Sequence, residues 1–227
     1  MALRIALISV IGLLVDIWFI RTEYAGKMVK ATVLKGLASL FFVILGVVCY
    51  IERSSTFGLL VLIGLVLGML GDIFLNMRNC VKGTLSMKVF AVGILFFLSG
   101  HFLYIAALLE RNSQIVMIAI GITAVISLSA IPPLMKRITA PSRGLKIFGW
   151  VYLVVVIAMF SSALTLIIKN GAGRSEIVFA LGALLFVVSD FIMIYYSFGK
   201  KIKPLRAINL LSYYIGQLLI ALTVLLV

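Results

Sequence analysis

The chain has 227 residues, 64% hydrophobic and only 12% charged, with a mean hydropathy of +1.28 and a formal net charge of +13. An ordinary soluble domain is about 45–50% apolar, so a water-solvated globule is excluded and lipid must be the solvent for the outer face. The charge excludes less: no basic stripe with interleaved aromatics lies outside the apolar runs, so no nucleic-acid partner is expected and the basic residues are read as orientation signals in short loops.

Apolar runs broken by polar, Gly or Pro punctuation predict eight transmembrane helices, each about 20 residues as a bilayer requires. In chain order they cover residues 3–20, 33–51, 57–75, 89–109, 115–134, 146–168, 177–197 and 207–227. Each must be helical, because a lone span in lipid has to satisfy its own backbone hydrogen bonds. The first run carries Asp16, is preceded only by Arg4 and is followed by the basic stretch Arg21–Lys30. That is the reverse of a secretion signal, and the run is read as a retained helix. Pro132 and Pro133 close the fifth helix, where a missing N–H is tolerated. Cys49 and Cys80 fall at opposite membrane faces, too far apart for a disulfide. The expected fold class is all-α, a polytopic membrane protein forming a single transmembrane helical domain over 1–227.

Of the 20 Lys and Arg residues, fifteen lie in the odd-numbered connections, from Arg21 and Lys27 through to Lys203 and Arg206. Arg4, Arg53, Arg111, Lys169 and Arg174 are the five on the other side. The positive-inside rule then places both termini away from the cytoplasm. A 4+4 internal repeat is also suggested. Gly71-Asp72 is followed 28 residues after the acid by Gly100-His101, and Ser189-Asp190 is followed after 26 by Gly216-Gln217.

An ionisable side chain inside a span costs about 2.5–3.5 kcal/mol on insertion scales and normally faces the bundle interior or water. Asp72, His101 and Asp190 are the clear cases, with Asp16 and Lys35 placed nearer the membrane surface. At 1.5 Å per residue, Asp72 lies about 5 Å, Asp190 about 10 Å and His101 and Gln217 about 15–18 Å from the cytoplasmic helix ends. These residues define a polar site in the inner half of the membrane, suited to a lipid head group. Each has a plainer role: Asp72 bridging to Lys35, His101 as a satisfied core residue, Tyr213 and Tyr214 as interfacial anchors. Asn76 shares the face of Asp72. One His, two acids and two separated thiols are too thin a ligand set for a metal, and no cofactor motif is present.

The residues Gly71-Asp72-Ile73-Phe74-Leu75, Phe90 to Tyr104, Tyr152, Met159, Ala163, Leu181 to Phe186, Ser189-Asp190, Tyr214 and Gln217 occur in an order and spacing that resembles the YhhN-like lysoplasmalogenase family. The likeness covers nearly the whole chain. Two departures are visible: Gly36 stands where the family shows Pro after Lys35, and Gly68 where a Ser is common. The resemblance implies hydrolysis of the vinyl ether bond of a lysophospholipid substrate, a lysoplasmalogen, in a bilayer, without cofactor or metal. It implies a bacterial plasma-membrane enzyme that releases a fatty aldehyde. Asp72 and Asp190 would be catalytic, one as general acid and the other as base or stabiliser. Lys35, Asn76, His101, Tyr104, Tyr214 and Gln217 would bind substrate or support the acids, with Lys35 meeting the phosphate. Rival classes are a small transporter or channel with a polar site in the inner half of the membrane, and a lipid-binding scaffold without chemistry.

Overall fold

The computed structural model describes residues 1–139 and 143–227. These form eight long helices: α1 (Ala2–Tyr24), α2 (Met28–Glu52), α3 (Thr56–Met77), α4 (Gly83–Arg111), α5 (Val116–Met135), α6 (Arg143–Asn170), α7 (Arg174–Phe198) and α8 (Lys203–Leu226). Each of the eight is long and apolar enough to cross a membrane, and no strand occurs among the described residues. The chain is an all-α, multi-pass integral membrane protein.

All eight expected spans are present, and several run further than hydropathy alone indicates. Lys and Arg are good helix formers, so the helices carry through their basic ends: α2 starts at Met28 and takes in Lys30 and Lys35, and α6 starts at Arg143. α1 continues to Tyr24, which leaves Asp16 about two turns inside the helix end rather than at the surface. Pro132 and Pro133 occupy the last turn of α5, which Lys136 closes by donating its N–H to the Pro132 carbonyl at 3.1 Å. Between α1 and α2 only Ala25–Lys27 intervene, with Gly26 at φ 75°. That left-handed backbone is costly for any residue with a Cβ. Ser55 caps α3 by accepting from the Gly58 N–H at 3.0 Å.

The helices pack as two compact units, one of Met1–Tyr104 with Ala221–Val227 and one of Ile105–Ile220. In the first, α1, α2 and α3 are successive neighbours; in the second, α5, α6 and α7 are. Within each unit one helix pair makes close backbone contact, and the two pairs share a register. In the first unit Gly64, eight residues before Asp72, faces Gly100: a Cβ on Gly100 would lie 3.1 Å from the Gly64 carbonyl oxygen. In the second, Gly182, eight residues before Asp190, faces Gly216, with the matching distance 2.9 Å. The space over Gly64 is taken by the Tyr104 ring, and that over Gly182 by Ile220, each four residues beyond the partner glycine. The residue before each acid meets the residue seven before each partner glycine. A Cβ on Gly71 would lie 3.1 Å from the Gly93 carbonyl oxygen, and Ser189 Oγ lies 3.0 Å from that of Asn209. Three corresponding contacts at one spacing fit the repeat suggested by the sequence, with α3–α4 and α7–α8 as the equivalent pairs.

Small residues permit this approach, since helix association in lipid relies on van der Waals packing rather than on a hydrophobic drive. Gly64→Leu and Gly182→Leu are expected each to cost about 1–3 kcal/mol through overpacking. Gly121→Leu, where nothing lies within 4 Å, should change stability by no more than about 0.5 kcal/mol. Unfolding in mixed micelles checks both.

Candidate functional site

Each unit encloses one of the two expected acids. In the first, Asp72 on α3 is 1% exposed, and its Oδ1 lies 3.1 Å from the Lys35 Nζ of α2. Its Oδ2 is 2.6 Å from Ser39 Oγ, one turn along α2. That hydroxyl also lies 2.9 Å from the Lys35 carbonyl, so its single proton serves two acceptors, with the carboxylate the nearer. Lys35 is itself 5% exposed, and its ammonium sits 5.8 Å from the centre of the Phe19 ring of α1. Asp72 thus has a cation on one oxygen and a hydroxyl on the other. The i, i+4 spacing of Lys35 and Ser39 puts both on one face of α2.

One turn on, Asn76 is 1% exposed and lies between α1 and α2. With its nitrogen toward the carboxylate, it donates to Glu23 Oε1 at 3.2 Å, and its oxygen accepts from Thr32 N and Oγ1 at 3.2 and 3.0 Å. Asp16 is fully buried on α1. The basic end of this unit therefore holds Asp16, Glu23, Lys35, Asp72 and Asn76 on three successive helices. Higher on α4, His101 is 1% exposed, and its Nδ1 lies 2.6 Å from the Phe97 carbonyl. A carbonyl only accepts, so Nδ1 carries a proton. The His101 ring stands edge-on to Tyr104 at 6.2 Å. Tyr104 fills the space over Gly64, a packing role alongside any supporting one.

In the second unit Asp190 on α7 is 5% exposed, and its Oδ2 is 2.7 Å from the Tyr152 phenol oxygen of α6. Here the polar hydrogen comes from a neutral group, where Asp72 has an ammonium and an alcohol. Ser189 and Asn209 form a clasp between α7 and α8: Asn209 Nδ2 is 2.8 Å from the Ser189 carbonyl and 2.7 Å from its Oγ. Phe186, one turn before Asp190, meets Tyr213 edge-on at 5.2 Å, and Tyr213 meets Tyr214 at 5.0 Å. Gln217 is fully buried and donates through Nε2 to the Tyr213 oxygen at 3.3 Å.

The structure thus brings Lys35 to Asp72 and seats Asn76 beside that pair, while Tyr214 and Gln217 both lean on Tyr213. Ser39, Tyr152, Asn209 and Glu23 were not singled out as site residues from sequence. A hydroxyl inside an apolar run is the signal that marks Ser39, and an amide just inside the start of one marks Asn209, since a buried polar group needs a partner. Nothing in the sequence pairs Tyr152 with Asp190 in space. No group of three or more His, Cys, Asp or Glu among the described residues could hold a metal.

The fold and these two polar clusters define a class: a polytopic α-helical membrane protein with ionisable groups enclosed among its spans. A family model described as the YhhN family matches residues 29–224. The chain belongs to the YhhN family. α1 lies ahead of the matched region, yet contributes Phe19 and Glu23 to the cluster around Lys35 and Asn76. No curated protein and no solved structure matches the chain.

Removing one member of a buried ion pair leaves the other uncompensated and costs about 3–5 kcal/mol. Lys35→Met is expected to destabilise by that order. Lys35→Met combined with Asp72→Leu should destabilise by clearly less than the sum of the two single changes. A double-mutant cycle on unfolding in micelles reads the coupling; additivity within about 0.5 kcal/mol would mean that the two groups do not interact.

Proposed function

We propose that this chain is a membrane-embedded hydrolase that cleaves the vinyl ether bond of lysoplasmalogens, releasing a fatty aldehyde and a glycerophospho-base. The observation that carries the reading is the pair of buried carboxyl groups with unlike partners: Asp72 against Lys35 and Ser39, Asp190 against Tyr152. Vinyl ether cleavage needs two such groups. One delivers a proton to carbon; the other steadies the resulting oxocarbenium ion and takes a proton from the attacking water, a division of labour shared with glycosidases.

Asp190 is assigned the acid. A carboxyl protonated on one oxygen can give that proton to the β-carbon of the vinyl ether, while the Tyr152 phenol, which donates to Oδ2, stays on the carboxylate left behind. Asp72, with the Lys35 ammonium 3.1 Å away, is assigned the stabiliser of the positive charge that develops on the ether carbon. Water adds to that carbon, and Asp72 accepts one of its protons. The hemiacetal then collapses. Its C–O bond to glycerol breaks, the proton held by Asp72 passes to the leaving oxygen, and the hemiacetal hydroxyl proton restores Asp190. The sum is one vinyl ether and one water consumed, one aldehyde and one alcohol formed.

Membership of the YhhN family supports the reading. The distribution of Lys and Arg, fifteen against five, assigns the Lys35 end of α2 to the cytoplasmic side and both termini to the other. Reporter fusions at the two termini check this orientation; a cytoplasmic signal from either overturns it.

The decisive assay presents purified protein in detergent with a 1-alkenyl lysophospholipid and follows aldehyde release. Asp72→Asn and Asp190→Asn should each lose about 10²- to 10⁴-fold in kcat, the range of general acid–base contributions, with melting temperatures that still report a folded protein. Tyr152→Phe should lose less than Asp190→Asn, because the phenol acts through the carboxyl. Full turnover in either Asn variant removes that acid from the mechanism, and a wild type that forms no aldehyde sinks the reading.

A further inference from the structure

Hydrolysis of a lysophospholipid needs a group that recognises the phosphate, and the sequence points first to Lys35. Its ammonium is committed to Asp72 at 3.1 Å, and the side chain is 5% exposed, so it neutralises a buried acid rather than a lipid phosphate at the membrane boundary. The second unit holds another cation of different character. Arg206, in the first turns of α8, is only half-buried. Its Nη1 donates to Asn209 Oδ1 at 2.8 Å, and its guanidinium carbon stands 5.8 Å from the centre of the Tyr196 ring of α7.

Asn209 is the residue clasped to Ser189 through both its side chain and its carbonyl. Ser189 immediately precedes Asp190. A continuous hydrogen-bonded path, Arg206 to Asn209 to Ser189, therefore fixes the guanidinium relative to the backbone that carries the acid. Neighbouring Lys200, Lys201 and Lys203 are exposed. Arg206 lies three residues, about 4.5 Å of helix, toward the start of α8 from Asn209. Helical side chains lean toward the N-terminus, so the guanidinium reaches further toward the polar boundary while Asp190 stays among the spans. That offset has the sense of the substrate, in which a short glycerol backbone separates a phosphate at the boundary from an ether bond further in.

We propose that Arg206 is the residue that recognises the phosphodiester of the substrate, held for that purpose by Asn209. The inference rests on the hydrolase reading above and adds to it the group that selects phosphate-bearing lipids. A guanidinium presents five donors in a rigid fork suited to two oxygens of one phosphate. An amide oxygen takes one of them and sets the plane of the rest. Lysine offers a point charge without that geometry.

The test compares Arg206→Gln and Arg206→Lys with Lys203→Gln as control, on two substrates: a 1-alkenyl-glycerophosphoethanolamine and the phosphate-free 1-alkenylglycerol. Arg206→Gln is expected to raise KM for the phosphate-bearing substrate about ten-fold or more, the loss of one charge-assisted contact. Its kcat should hold within about two-fold, and its kinetics on the phosphate-free lipid should be unchanged. Arg206→Lys should fall between Arg206→Gln and wild type, and Lys203→Gln should match wild type. Equal losses on both substrates, or a lowered kcat with KM unchanged, would make Arg206 a structural buttress of the Asn209 clasp and overturn the proposal.

Binding of the saturated ethers, 1-alkyl-glycerophosphoethanolamine against 1-alkylglycerol, separates this inference from the reading beneath it. If wild type makes no aldehyde but prefers the phosphate-bearing ether, and Arg206→Gln loses that preference, the hydrolase reading fails and phosphate recognition stands. If wild type does not distinguish the two ethers, phosphate recognition fails whatever the turnover.

Discussion

The fold turns on burying ionised groups where lipid offers no hydration. Asp72 and Lys35 would each cost about 2.5–3.5 kcal/mol to place singly in a span, and the structure places them together at 3.1 Å with Ser39 on the remaining carboxylate oxygen. A buried ion pair rarely outperforms well-packed apolar residues of the same volume, so stability alone does not account for its presence. Pairing makes a charged carboxyl tolerable inside the membrane; it does not make it the cheapest core. Asp190, on the other unit, has a phenol in place of an ammonium on its Oδ2.

Holding these groups in place takes packing that lipid does not drive. The glycines at 64, 100, 182 and 216 let paired helices come within backbone contact, and large side chains such as Tyr104 close the space left over. α7 and α8 add a polar clasp, since Ser189 and Asn209 exchange three hydrogen bonds, which in a medium without water have little competition from solvent. Each acid therefore sits one residue from a point where its helix is fastened to the next: Asp72 after Gly71, Asp190 after Ser189. A carboxyl beside such a point is held by its backbone, as the proposed proton transfers require.

Most of the architecture was legible in the residues, because a hydropathic run of about 20 residues has one solution in a bilayer. The eight spans, the proline-marked end of α5 and the repeat around the two acids could all be read this way. The helix ends could not, since hydropathy stops at the first lysine and the helix does not. The candidate site was legible by type rather than by partner. Asp72, Asp190, His101 and Gln217 stand out as polar groups in apolar runs, and Lys35 and Asp72 were paired on paper. Tyr152 belongs to the family pattern but has no partner until α6 is laid against α7, and Asn209 has no role until its amide is seen closing on Ser189. Contacts between helices depend on rotation about each helix axis, and a span that is apolar nearly all round, like α5 or α6, fixes that rotation weakly from sequence.

The repeat sharpens the question of why the two acids differ. Equivalent helix pairs, α3–α4 and α7–α8, carry them at the same register, so the backbone supplies two alike positions. The preceding helices supply unlike partners: α2 brings an ammonium and an alcohol to Asp72, α6 brings a phenol to Asp190. Two identical carboxyls in identical surroundings would have no basis for dividing a reaction between them, whereas unlike surroundings supply one to the proposed division of roles. The helix register is kept while the residues facing the acids are not. The difference between α2 and α6 is therefore what the proposed pair of chemical roles rests on.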